Sequence, residues 1–191
     1  MTNPVPYPLA EATLVDKAIA ALNERLAGLP WLTKAYGQAQ RLVGEGQLNY
    51  PAVFTAGQGS GDYLSLLPDR HLASLGGYSF WDTKEPVTVS NWRNDLASLQ
   101  FKAGLVVWFD FRKVYPADWK GRTIWNVIQD VLNELKSGGG MATFGEDLEF
   151  HYSGETIFPR YSHKEIDRQF LMKPYGGFRI DGTVHFTDNC P

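Results

Sequence analysis

Several groups of residues in this chain have types and spacings that could do chemistry. Gly57-Gln58-Gly59-Ser60-Gly61 has the glycine density of a phosphate cradle, in which backbone amides approach an anion closely. The full pattern needs a Lys-Ser or Lys-Thr pair followed by a helix, whereas Asp62-Tyr63 opens a strand-like run, so the stretch reads as a hairpin tip. Asp69-Arg70-His71 sets a carboxylate beside an imidazole, but residues two apart on a loop rarely converge, and no activated Ser or Cys accompanies them. His71, His151, His163 and His185 are widely spaced, show no His-Glu-x-x-His pattern and include no close His/Asp pair suited to a divalent ion. They read as surface or strand-face residues. Glu146, Asp147 and Glu149 fit neither an EF-hand loop nor a paired acid, and read as a solvated turn. Asp110 ends an apolar run; burial there would raise its pKa unless Arg112 or backbone donors compensate, and a structural hydrogen bond is its expected role. Hydrolysis through Asp110 or the Glu146 group would need converging groups that the sequence does not supply. The expectation is a non-enzymatic protein with no catalytic, metal or cofactor constellation.

The elements that must position these residues follow from hydrophobic period. Leu14, Ala18, Leu22 and Leu26, with Val15 and Ile19 beside them, form one apolar helical stripe that Gly28 and Pro30 stop. From Trp31 to Val43, Tyr36, Ala39 and Leu42 suit a strand running away from that helix. Residues 44–100 carry the short runs Ala52 to Phe54, Tyr63 to Leu67, Tyr78 to Trp81 and Val87 to Val89, broken by Gly, Pro and Asp. They predict an irregular insertion of hairpins and loops. Leu105-Val106-Val107-Trp108-Phe109 is nearly unbroken and predicts a central strand covered on both faces. Thr123 can cap a helix whose stripe is Ile124, Val127, Ile128, Val131, Leu132 and Leu135, ending at Gly138-Gly139-Gly140.

A strand is expected near Leu148-Glu149-Phe150, and Ser162-His163-Lys164-Glu165 has capping-box spacing. Last, Phe178, Ile180, Val184 and Phe186 alternate with Arg179, Asp181, Thr183 and His185. This predicts a strand with one face on a core and the other open to water or a partner, and Gly182 marks a bulge or a close approach. The sum is an α+β protein: a single domain over 1–191 with a flexible segment 1–8, and a mostly antiparallel or mixed sheet packed against two main helices.

Composition bounds the partners. The apolar fraction of 43% supports a core, and a net charge of -3 without a dense Lys/Arg cluster offers no footprint for direct nucleic-acid recognition. The single Cys190 has no intrachain disulfide partner, which fits folding in a cytoplasm, and neither a signal peptide nor a membrane span is expected.

The amphipathic N-terminal helix, the strand Leu105 to Phe111, the helix Ile124 to Leu135 and the closing run Phe170-Leu171-Met172-Lys173-Pro174-Tyr175-Gly176-Gly177-Phe178-Arg179-Ile180 resemble, in that order, the tail terminator (tail completion) proteins of bacteriophages and related contractile systems. Only the closing run is specific in wording. The resemblance implies a structural virion protein, assembled in the bacterial host cytoplasm and placed in the tail or neck. Six copies would form a ring that caps the tail tube and joins it to the head connector. The contact elements it suggests are Tyr175, Arg179, Asp181, Thr183 and His185 on the last strand, and the 44–100 region. A longer, aromatic-rich middle segment departs from the smallest family members. The rival reading is a ligand-binding module with an aromatic pocket for a small molecule or glycan, drawn from Trp81, Trp92, Trp108, Trp119 and Trp125; Trp108 and Trp125 are expected to be core.

Overall fold

The computed structural model describes residues 14–44, 48–54, 63–90, 96–136, 140–162 and 166–189. The segment 1–8, Gly57 to Gly61, Trp92, Gly138 and Gly139, the capping-box residues His163 to Glu165, and Cys190 lie outside the described residues.

Helix α1 (Leu14–Leu26) follows the predicted stripe, with Ala18, Ile19, Leu22 and Leu26 buried, Asp16 in the first turn and Arg25 in the last, the order that suits the helix dipole. Strands β1 (Lys34–Gln38) and β2 (Gln40–Val43) come next, then β3 (Asn49–Phe54), β4 (Tyr63–Ser65) and the short α2 (Arg70–Leu75). Two long strands, β5 (Gly77–Ser90) and β6 (Leu96–Asp110), lead into α3 (Phe111–Val114) and α4 (Ile124–Lys136). Strand β7 (Ala142–His151), a single turn α5 (Gly154–Ile157) and β8 (Tyr175–Asn189) complete the order. A five-stranded sheet runs β1-β5-β6-β8-β7, parallel only between β1 and β5, and a three-stranded antiparallel sheet runs β2-β3-β4. The fold is therefore α+β, with a mixed main sheet and two longer helices.

Successive side chains of a strand point to opposite faces, so each long strand serves two cores. On the first face Leu99 to Phe109 of β6 alternate into one cluster with Phe178, Ile180, Val184 and Phe186 of β8; α1 and α4 cover them through Leu22, Val127, Ile128, Val131 and Leu135. On the second face Tyr78, Phe80, Val106 and Trp108 pack against Leu66, Leu67, Leu72, Ile157, Phe158 and Phe170. Burying a side chain of this size stabilises by about 1.5–3 kcal/mol relative to exposure, so two-sided cover is what holds the middle of the sheet.

Two expectations need correction here. The 44–100 region is not an irregular insertion throughout: Gly77 pairs with Phe109 and the ladder continues to Ser90 opposite Ser98, placing β5 inside the sheet between β1 and β6. Its polar Asp82 and Lys84, Pro86 and a register shift between Lys84 and Val87 hide the strand from a period-two reading. Trp125 is 54% exposed rather than core. It sits in the first turn of α4, outside the Val127-Ile128-Val131-Leu135 stripe, where Phe150 and Tyr152 reach it from β7 and the residue beyond it.

Candidate functional site

The last strand carries the expected contact residues, and the structure divides them. Tyr175 is half-buried, stacked on Trp108 at 5.1 Å between ring centroids and against Phe170 at 5.4 Å, with the Arg112 guanidinium 5.5 Å above its ring. Arg179, expected on an open polar face, is 0% exposed, and Thr183 is buried too. For Arg179 the physical reason is the second layer, which closes over the first half of the strand. Asp181 and His185 keep partial exposure.

Arg179 is held in the interior by carboxylates on both sides. Its Nη1 donates to Asp82 Oδ2 at 2.6 Å and its Nε to Asp181 Oδ1 at 2.9 Å. Asp82, also fully buried, accepts in addition from Arg160 and from the Tyr161 hydroxyl at 3.0 Å. Lys84 Nζ lies 3.2 Å from Asp181, and His151 Nε2 is 3.4 Å from its other oxygen. Room for the guanidinium comes from Gly104 on the strand between: a Cβ there would stand 2.4 Å from the Arg179 guanidinium carbon.

Burial alone would lower the Arg179 pKa, but the hydrogen bond to Asp181 and the charge of Asp82 outweigh it and hold the value above the ordinary one. For Asp181 burial pushes the carboxyl up, and Arg179 with Lys84 pulls it below its usual range. Burial first, then the charge of Asp82, raises the Tyr161 phenol. An acid kept ionised by two cations is a poor proton acceptor at neutral pH, so this cluster is built to fix charges rather than to move protons.

Beyond this cluster the second face of the main sheet lies open. Thr88, Lys102, Gln100, Thr143 and Thr187 are exposed, and His185 Nε2 reaches Glu146 at 3.2 Å. The acidic turn is a bulge in β7: Gly145 opposes Thr183 and Glu149 opposes Asp181, leaving three residues against Gly182. Glu146 and Asp147 take left-handed backbone angles, φ 52° and 49°. The expected bulge at Gly182 thus belongs to the neighbouring strand, and Gly182 supplies the close approach, because a Cβ there would meet Leu148 at 2.6 Å.

The other candidates resolve locally. Asp110 is buried, caps α3 through the Arg112 amide at 2.9 Å, and is gripped by the Arg112 guanidinium, the structural role expected of it. Asp69 caps α2 by accepting from the Leu72 amide at 2.7 Å, while His71 is exposed. Among the described residues no three His, Cys, Asp or Glu are placed to hold a metal ion, and no helix is long and apolar enough to cross a membrane.

Two concavities flank the Tyr175 end. One, of about 670 Å³, is polar and bears Arg70, Arg112 and Lys113 around Asp110. The other, of about 380 Å³, is apolar: Trp125, Tyr152 and Leu171 wall it, Trp108, Gly176 and Gly177 form its floor, and Arg122 and Lys173 stand at its rim. Comparison of the sequence with models of protein families and with curated proteins finds no match. The geometry therefore carries the functional argument. Of the tryptophans expected to form a pocket, Trp108 and Trp125 come together here. Trp81 faces the opposite core and donates to Asn23 Oδ1 at 2.8 Å, Trp119 sits under Lys120, and Trp92 is outside the described residues. Tyr152 was not singled out from the sequence, and Leu171 and Lys173 figured only within the closing run; the aromatic pair Phe150 and Tyr152, at the end of a strand that follows an amphipathic helix, was the available signal.

Proposed function

We propose that this chain is a structural subunit of a phage or prophage tail, of the tail terminator class. It would form a ring, six-fold by the resemblance, that caps the tail tube and meets the head connector in the tail or neck of a virion. The observation that carries the reading is the bare, polar far half of the main sheet's second face, built from Thr88, Gln100, Lys102, Thr143, His185 and Thr187 on four adjacent strands. A polar surface of this kind, spread over four strands, suits a heterologous contact, in which one patch meets a different patch on the next copy.

The test mixes the purified protein with polymerised tail tubes built from the tube protein encoded beside it, followed by electron microscopy. Added density at tube ends is the expected result. Bare ends at saturating protein concentration, or binding along tube walls, refute the proposal. Lys102→Glu with Gln100→Glu on the open half should remove end binding while leaving the melting temperature within a degree or two, because exposed substitutions away from packed features cost about 0.5 kcal/mol or less.

The 380 Å³ groove supports a second reading, a ligand-binding module. A thermal-shift screen over glycans and nucleotides tests it, and a flat response across the set removes it.

A further inference from the structure

We propose that the polar concavity bearing Arg70, Arg112 and Lys113 is the seat for the acidic turn Glu146-Asp147 of a second copy of this chain. The inference rests on the ring reading, to which it supplies the second patch that a heterologous contact needs. The concavity holds about 670 Å³, room for a turn with its side chains rather than for one small ion. Arg112 is spent on Asp110, which its Nε and Nη2 grip at 2.9 and 2.7 Å. Arg70 on α2 and Lys113 on α3 are exposed and have no partner among the described residues. Two neighbouring carboxylates are already engaged, Asp69 by the Leu72 amide at 2.7 Å and Asp167 by Gln169 at 2.6 Å, and neither lines the hollow. Three cations therefore face one carboxylate, and a concave wall of one sign concentrates the field that draws an anion in.

The complementary patch is on the page as well. Glu146 and Asp147 lie in the bulge of β7, an edge strand, and both are exposed. Their left-handed backbone turns them off the ladder, as bulges at sheet edges do. Asp147 has no partner among the described residues, and Glu146 reaches His185 at 3.2 Å, which makes the turn continuous with the bare polar half of the sheet. The two patches cannot meet within one molecule. Tyr175 lines the concavity, whereas the bulge stands opposite Gly182, seven residues further along β8, a separation of about 23 Å at about 3.3 Å per residue. Opposite charges at opposite ends of one strand are joined by the next copy, and repeating that contact head to tail closes a ring or extends a filament. Surface ion pairs are individually weak and are screened within about 8 Å at physiological salt, so the contact must be salt-sensitive.

The experiment treats the full chain, concentrated and at low ionic strength, with a carbodiimide, which joins a lysine amine to a carboxylate in contact with it. Digestion and mass spectrometry should find Lys113 joined to Glu146 or Asp147, in a product of dimer mass or larger. The yield should fall about five-fold or more as salt rises from about 0.02 M to about 0.5 M. Arg70→Gln with Lys113→Gln removes the seat, and Glu146→Gln with Asp147→Asn removes the turn. Each full-length variant alone should give no such product, while an equal mixture of the two should give it again, because one intact seat and one intact turn remain; this recovery also shows that both variants are folded. Lys113 joined to a different carboxylate, no product from the parent, a yield indifferent to salt, or a silent mixture would each overturn the proposal. Tube ends decorated without this product would sink the contact alone, and the product formed beside bare tube ends would sink the tail reading alone.

Discussion

Gly104→Ala should be one of the most damaging single-methyl additions in the molecule, and the reason can be worked from distances. The new Cβ would lie 2.4 Å from both Cζ and Nη2 of Arg179 and 2.6 Å from Nε, where ordinary contact begins at 3.4 Å. The guanidinium must retreat by about 1 Å, which takes its bonds of 2.6 Å to Asp82 and 2.9 Å to Asp181 beyond hydrogen-bond reach. Bonds to charged groups contribute about 1.5–3 kcal/mol each. Asp82 keeps Arg160 and Tyr161, and Asp181 keeps Lys84, so the loss is partly compensated and about 2–4 kcal/mol is expected. In a domain of this size that lowers the melting temperature by roughly 10 °C. The decisive assay is a double-mutant cycle with Arg179→Ala, read by urea denaturation. With the guanidinium gone, the added methyl meets nothing charged, and the alanine becomes neutral or slightly stabilising because glycine costs more backbone entropy on folding. A Gly104→Ala penalty of the same size in both backgrounds would show that the cost arises elsewhere in the strand and would refute the reasoning.

Asn23→Leu should cost about 2–4 kcal/mol by chemical denaturation, since its side chain donates to Tyr36 O at 3.1 Å and accepts from Trp81 Nε1 at 2.8 Å, and both of these buried bonds would be lost. Trp108→Ala should destabilise by about 3–5 kcal/mol, whereas Trp125→Ala should change stability by less than about 1 kcal/mol. Equal effects would mean that Trp125 is packed rather than presented. The ionised form of Asp181 is favoured by folding, its pKa lying below the usual 3.8. Its contribution is therefore complete above about pH 4 and is lost as pH falls through the folded-state value. The melting-temperature gap between the parent and Asp181→Asn should accordingly close below pH 4, and a gap independent of pH from 7 to 2 would show that the charge plays no part.

How much of this could be read from the residues depends on range. Helix α4 announces itself because Val127, Ile128, Val131 and Leu135 lie within a few turns of one another, and β6 because its apolar run is continuous. Asp110 could be assigned a structural bond because Arg112 stands two residues away. The burial of Arg179 was not legible in the same way. Its alternation with Phe178 and Ile180 says only that it faces away from the helices, and it is silent about whether a second layer exists. That layer is assembled from Leu66, Leu72, Ile157, Phe158 and Phe170, drawn from separate stretches with no periodicity. Two local oddities did point toward it: a carboxylate, Asp82, directly after the run Tyr78 to Trp81, and a glycine inside the apolar strand that separates it from Arg179.

The charge cluster occupies the row at which the second layer ends. On its covered side lie Phe80, Val106 and Arg179, and Tyr78, Trp108 and Gly177; on its other side lie the half-buried Lys84, the exposed Lys102 and the buried Thr183. A sheet face cannot pass from packed aromatics to water in one step without either exposing apolar edges or stranding polar ones. Paired charges solve this, because Arg179 pairs with Asp82 in the dry region while Asp181, Lys84 and His151 carry the network out to solvent. The same device separates two tasks along one strand. Residues from Tyr175 to Arg179 pack on the second layer and can be altered only at the expense of stability, whereas His185 and Thr187 support no core on this face. That division is one that the alternation along β8 cannot show, because Arg179 and His185 stand in the same phase of the period-two pattern.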